Sequence, residues 1–248
     1  MPGYIIHAVE AERILENMPM KWRMKFSGGI SQEWHDAFLC GVLLPDAAGK
    51  EVKAQTHYWD ENTLENVIVV PDLSSFLDQY AGMLEQPVVL GYLAHLHLDQ
   101  LFFQAYFSQK VLFLDRNGRI ALKRDAVAHV WLVEQSQLLS PEELFSQRYL
   151  YGDYTKLNAA LMLRYGLHLP ETTLWVDNPF GLDTGNLMEH AYEEIHRYLE
   201  EGRHSTGEPV LLRVESMEWF IEQAAQDFWK VVTQHGKEGG EINGKSKW

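Results

Sequence analysis

Along most of this chain apolar residues recur at the three- and four-residue intervals of a helix rather than the alternation of a strand. Residues 4–17 place His7, Ala11, Ile14 and Leu15 on one stripe. A second helix is expected over about 31–43, with Ser31 available as N-cap and Pro45 ending it. In "PDLSSFLDQYAGML", Leu73, Phe76, Leu77, Tyr80 and Leu84 share a face, and Pro71 suits a helix start. Residues 87–107 are apolar nearly all round, the pattern of a helix buried at the centre of a fold.

The second half continues in the same way. "LDRNGRIAL" (114–122) reads as a turn with Asn117-Gly118 at its tip, able to form a short hairpin. Ser140 and Glu143 are spaced as a capping box, and "DYTKLNAALMLRYG" is a helix stopped by Gly166. A Pro-, Gly- and Asp-rich stretch at 167–186 is expected to be a loop. Two amphipathic helices follow, one carrying Leu187, Ala191, Ile195 and Leu199, the other Met217, Phe220, Ile221, Ala224, Phe228 and Val231. No internal repeat and no linker interrupts this series. The expectation is all-α: a single multi-helix domain over 1–235, then a polar, Gly-rich and disordered tail over 236–248.

Composition narrows the partners. The 248 residues include 21 basic and 35 acidic side chains, a formal net charge of −14. Nucleic acid and anionic membrane surfaces both need a basic face, so neither is expected as the main partner. A small anionic substrate stays open, provided cations stand in its site. Cys40 is the lone cysteine, which excludes an internal disulfide and a multi-thiolate metal site. The opening "MPGYIIHAVEAERIL" lacks the pattern of a signal peptide, and no apolar run is long enough to span a membrane, so a cytoplasmic setting is expected. Nothing in the pattern bears on oligomeric state.

The candidate chemistry lies in "GYLAHLHLDQLFF" (91–103), where two histidines and an aspartate interrupt an apolar helix. Burying such groups without partners costs several kcal/mol. His95 and Asp99 are four residues apart, on one helix face and about 6 Å apart along the axis. His97 points roughly the other way. An imidazole and a carboxylate so placed can chelate one cation, or can simply hydrogen-bond to each other. Three further positions could converge on the pair: Asp46 after the apolar run "GVLLP", His57 in "QTHYWD", and His7 on the first helix. Singly, these also read as a turn residue, a surface-loop residue and a satisfied core histidine.

Taken in order, His7, "FLCGVLLPD" (38–46), "THY" (56–58) and "GYLAHLHLD" (91–99) resemble the zinc-dependent phospholipase C family. "YGDYTKLN" (151–158) is similar to cytosolic bacterial relatives of unproven function. The resemblance covers about the first 105 residues. It implies an all-α fold with a metal site between helices. Asp46, His57, His95 and Asp99 would ligate one zinc, and Asp99 would bridge to a neighbouring ion that His7 also binds. Asp46 would double as the catalytic acceptor of a proton from the attacking water. The family's exported members carry a His six residues past the bridging Asp, where this chain has Ala105, and the later H-x-x-x-E motif is missing. One or two ions, rather than three, are therefore implied. Asp153 is a further candidate ligand, with an exposed helix-start carboxylate as its plainer reading.

The activity so implied is hydrolysis of a small anionic phosphoester by metal-activated water. Zinc is the implied cofactor; Mn, Fe and Ni suit the same N/O donors. Two alternatives stand beside this. "WHDAF" (34–38) holds the His-Asp dipeptide of HD-domain phosphohydrolases, for which His7 and Asp99 could serve as the outer ligands. The other alternative is a non-catalytic helical metal-binding protein. His190 and His196 belong to a glutamate-rich helix face best read as solvated. With no Gly-rich phosphate loop and no G-x-S-x-G elbow, nucleophilic side-chain catalysis has no support.

Overall fold

In the computed structural model, residues 2–26, 29–167 and 176–235 are described. The expected tail over 236–248 lies outside them, as do residues 168–175 of the expected loop. Helix α1 (Tyr4–Glu16) is followed by a single turn, α2 (Met20–Arg23), and by α3 (Gln32–Ala47), capped by Ser31, whose hydroxyl accepts from the Trp34 amide. A turn of helix, α4 (Lys53–Thr56), leads to α5 (Leu73–Tyr80), where Asp72 rather than Pro71 caps the amides of Ser74 and Ser75. Then come α6 (Pro87–Leu101), α7 (Pro141–Leu144), α8 (Leu150–Tyr165), α9 (Thr184–Arg203) and α10 (Val214–His235). The predicted capping box at Ser140 and Glu143 and the stop at Gly166 are both present. Buried apolar side chains from α1 through α10 form one continuous core. No helix among the described residues is long and apolar enough to cross a membrane.

The central contact is α3 against α6. Two glycines let their backbones touch. A methyl group on Gly41 would stand 2.1 Å from the Val88 carbonyl oxygen, and one on Gly91 would stand 2.1 Å from that of Phe38. This approach allows a side chain of α6 to reach the backbone of α3: His95 Nδ1 donates to the Val42 carbonyl at 2.8 Å.

The fold is mostly helical, as expected, with one small sheet beside the helices, and several finer expectations need correction. Strands β1 (Val111–Leu114), β2 (His129–Leu132) and β3 (Gln137–Leu139) form an antiparallel sheet in the order β1-β2-β3, with Val111 opposite Leu132 and Val130 opposite Leu139. The turn at 115–119 is tied by the Asp115 carboxylate, yet β1 pairs mainly with β2 and touches the 120–122 stretch only through a Leu114–Ile120 bridge. Burial explains the choice: Val130 and Leu132 are fully buried, whereas Ile120 and Leu122 are exposed.

Pro45 does not end α3, which runs on to Ala47. Proline removes one amide and crowds the carbonyl four residues back, here that of Gly41, and the helix continues only two residues beyond it. The long helix over 87–107 is α-helical only to Leu101; a wider π-helical turn follows over Phe102–Tyr106. Asp153 belongs to no candidate ligand group among the described residues, and it is not exposed. It is fully buried and accepts from the backbone amides of Val210 (2.7 Å), Leu211 and Leu212 (3.0 Å), fastening α8 to the segment before α10.

Two substitutions test these contacts. Gly91→Ala is expected to destabilise by about 3 kcal/mol, since an inflexible carbonyl blocks the new methyl group; an unchanged urea midpoint would refute the close approach. Asp153→Asn is expected to cost about 2 kcal/mol by removing a charged acceptor from three amides. Metal content, read by elemental analysis, should be unaffected by that change.

Candidate metal centre

The five side chains proposed from the sequence arrive from four separate elements. His7 comes from the first turn of α1, Asp46 from the last turn of α3, His57 from the end of α4, and His95 and Asp99 from adjacent turns of α6. The structure brings all five together. His7, His57, His95 and Asp99 are buried, and Asp46 keeps 13% exposure. Two triads have ligand atoms within 4.8 Å of one another: Asp46, His57 and His95, and His7, His95 and Asp99.

Local structure fixes His57 despite its lack of helical pattern. Thr56 donates its hydroxyl to the Pro45 carbonyl at 3.0 Å, and the Tyr92 hydroxyl donates to the Thr56 carbonyl at 2.6 Å. The chain then turns through Tyr58, at φ 52°, a left-handed conformation costly for an aromatic residue. The Tyr58 ring packs edge-on against Phe76 at 5.3 Å, which holds that conformation in place.

Hydrogen bonding sets which nitrogens face inward. A carbonyl only accepts, so His95 Nδ1 carries the proton it gives to Val42, and Nε2 presents a lone pair. Burial, aided by the charge of His7, pushes the His95 pKa down to about 3, so the ring is neutral at ordinary pH. His57 Nδ1 lies 3.1 Å from the Lys53 carbonyl and 3.1 Å from the Thr56 hydroxyl, whose own proton goes to Pro45. In its neutral form His57 therefore also turns a lone pair inward. The two Nε2 atoms are 3.2 Å apart.

Carboxylate oxygens complete the set. His57 Nε2 is 3.3 Å from Asp46 Oδ1 and 3.6 Å from Asp99 Oδ2, and His95 Nε2 is 3.8 Å from the same Asp99 oxygen. Ligands about 2.1 Å from a tetrahedral zinc stand about 3.4 Å from one another. The observed separations scatter about that edge. On the far side, His7 stacks on His95 with ring centroids 3.9 Å apart, and its Nε2 is 3.4 Å from Asp99 Oδ1. Both nitrogens of His7 and Asp99 Oδ1 are buried without a hydrogen-bond partner.

Charge follows the same logic. Burial opposes ionisation of Asp46, but His57, His95 and Lys53 outweigh it and hold the carboxyl well below the usual range. Asp99 is likewise lowered, by the imidazoles of His7, His95 and His57 acting against its burial. Both are anions at neutral pH, the form that binds cations.

Asp46 is also the link to solvent. It lines a cleft of about 550 Å³ together with Lys50, Lys53, Tyr154 and Asn158. Lys53 Nζ lies 2.8 Å from Asp46 Oδ1, and the Asn158 side-chain oxygen is buried without a hydrogen-bond partner. The sequence reading missed Lys53, Asn158 and the fully buried Glu10. Spacing offered a signal for two of them, since Lys53 precedes His57 by four residues and Glu10 follows His7 by three. His190, read as part of a solvated face, borders this cleft.

Other sequence candidates lie apart. His35 pairs with Glu12 at 2.8 Å and with its neighbour Asp36 at 3.3 Å, and neither His35 nor Asp36 belongs to a ligand group among the described residues. His97 points away from the centre, as its helix phase requires, and faces Asp227 at 3.4 Å. Comparison of the chain with protein-family models, with curated proteins and with solved structures found no match.

Proposed function

We propose that this chain is a metal-dependent hydrolase of a small phosphate ester, with Asp46, His57, His95 and Asp99 holding one ion beside the cleft. One observation carries the reading: the Nε2 atoms of His57 and His95 meet at 3.2 Å, each with its other nitrogen committed to the surrounding chain. Two facing lone pairs beside two carboxylates repel unless a cation or a shared proton lies between them, and the four donors suit a metal cation. The order of the motifs, which resembles the zinc-dependent phospholipase C family, supports the same reading. Zinc fits the edge lengths; Mn, Fe or Ni would accept the same donors with different geometry.

A bound divalent cation supplies Lewis acidity, polarising a phosphoryl oxygen and making water more acidic. The chain's own residues account for the rest. Asp46, at the border of cleft and centre, is placed to accept a proton from the attacking water. Lys50 and Lys53 are the cleft's cationic contacts for an anionic substrate, set among Asp46, Glu194 and Glu201. Burial of the other ligands excludes bulk water from behind the site, which strengthens every electrostatic term there.

A second reading has its own support. Four protein donors on one zinc would saturate it, and a closed site is the mark of a structural metal. The two readings part at Asp46, the only one of the four that reaches the cleft.

Purified without chelator, the protein should carry at least one transition metal per chain; none after zinc is supplied would refute the centre. His95→Ala should abolish that binding while helical circular dichroism persists. On a panel of phosphomonoesters and phosphodiesters, Asp46→Asn should lower kcat by about 10²–10⁴-fold. A metal-loaded wild type inactive on the whole panel would favour the structural reading.

A further inference from the structure

Two helix stripes wall the cleft in front of Asp46. On α8, Tyr151, Tyr154, Thr155 and Asn158 recur at three- and four-residue spacing and so share one face. On α9, His190, Glu194, Tyr198 and Glu201 do the same. The two helices converge beside Asn158, where a methyl group on Gly202 would stand 2.8 Å from the side chain of Ala159. Lys50 and Lys53 border the cleft with Asp46, on which Lys53 rests. A volume of about 550 Å³ lies within the range of small-molecule sites, so there is room here for the part of a substrate that carries the phosphate.

Asn158 keeps only 6% exposure, and its Oδ1 is buried without a hydrogen-bond partner. An acceptor left in that state is costly until something donates to it. The terminal torsion of asparagine is soft, so the carboxamide can turn toward the cleft it borders without breaking any hydrogen bond to Oδ1.

Neighbouring charges decide what kind of donor suits it. A carboxamide oxygen accepts from a hydroxyl or from an ammonium. An ammonium calls for a free acid nearby, and the acids on α9 are already paired: Arg197 lies 2.9 Å from Glu194 and 3.5 Å from Glu201. Burial pushes the Tyr4 and Tyr154 phenols up, so both stay neutral at ordinary pH. The inner wall is therefore an uncharged, aromatic and hydrogen-bonding surface, matched to hydroxyl groups.

We propose that Asn158 is a specificity-determining residue for a sugar or polyol phosphate, its Oδ1 accepting a hydrogen bond from a substrate hydroxyl while Lys50 and Lys53 face the phosphate. This rests on the phosphoester reading above and names its substrate class. A site built to bond a hydroxyl rejects the analogue that lacks it, because the buried acceptor is then left unpaired.

The test is calorimetric binding of matched phosphonates, whose C–P bond is not hydrolysed, to the metal-loaded full-length chain. Isosteres of hexose, pentose and glycerol monophosphates are each compared with the unhydroxylated phosphonate of the same carbon skeleton, such as 3,4-dihydroxybutyl against butyl phosphonate. Wild type is expected to bind the hydroxylated member of at least one pair about 10–100-fold more tightly. Asn158→Leu should bring that ratio to about one while binding the unhydroxylated member as wild type does. Equal binding within every pair would overturn the inference, as would a preference that survives in Asn158→Leu. A variant that weakens both members by the same factor would show a packing role and overturn it too. Should Asn158→Leu melt far below wild type, the same ratio is read in Asn158→Ala. Failure here leaves hydrolysis of other phosphoesters standing, whereas selective binding by a chain that holds no metal and turns over nothing would sustain the site and sink the hydrolase reading.

Discussion

The structure depends on one electrostatic conflict: lone pairs and carboxylates crowd together in a place that water does not reach. In water such groups would be solvated individually. Here the surrounding helices have removed that option, and the nitrogens of His57 and His95 that could donate outward are engaged with the backbone. A buried acceptor without a donor costs about 1–3 kcal/mol, and more when it is charged. A fold that gathers several of them must draw compensation from a cation or from protons on its histidines, or give up much of its stability, which is itself only about 5–15 kcal/mol for a typical protein.

Geometry of this kind needs a rigid frame, and the frame is the backbone contact of α3 and α6. Gly41 and Gly91 bring the two helices closer than side chains would allow. The approach commits His95 Nδ1 to the carbonyl of Val42, so ring orientation is decided by main chain rather than by a mobile neighbour. Outer-shell hydrogen bonds that fix the tautomer and direction of a ligating histidine are as consequential as the ligand. His57 is held by the same device through Lys53, Thr56 and Tyr92. Side chains spread over the first hundred residues thus lean on two helices that pack without slack.

Much of this was legible in the sequence because helices announce themselves through period and caps. The buried character of α6 followed from its all-round apolarity, and the outward direction of His97 from its phase relative to His95. The sheet was not legible. Its strands are three or four residues long, and β2 is separated from β1 by a polar stretch, so the local turn at 117–118 suggested the wrong partner. Pro45 misled because proline's rule carries no information about how near a helix end already is. Glu10 was overlooked since a glutamate on a helix is ordinarily solvated, and only the packing of α1 against α6 reveals that this one is enclosed. Asp153 shows the converse: a carboxylate beside a familiar-looking motif, wholly absorbed by backbone amides.

The division of the centre into an open and an enclosed half explains how an acidic protein could handle an anion. Far from the site, a net charge of −14 repels phosphoesters, but that field is screened within about 8–10 Å at physiological salt. Inside the cleft, screening is weaker and the nearest charges dominate. Lys50 and Lys53 stand on its wall with Glu194 and Glu201, and one oxygen of Asp46, Oδ1, engages both Lys53 and His57. Any cation behind Asp46 would be felt by a substrate through low-dielectric protein rather than through water. The charges nearest Asp46, rather than the net charge of the whole protein, therefore set the field inside the cleft.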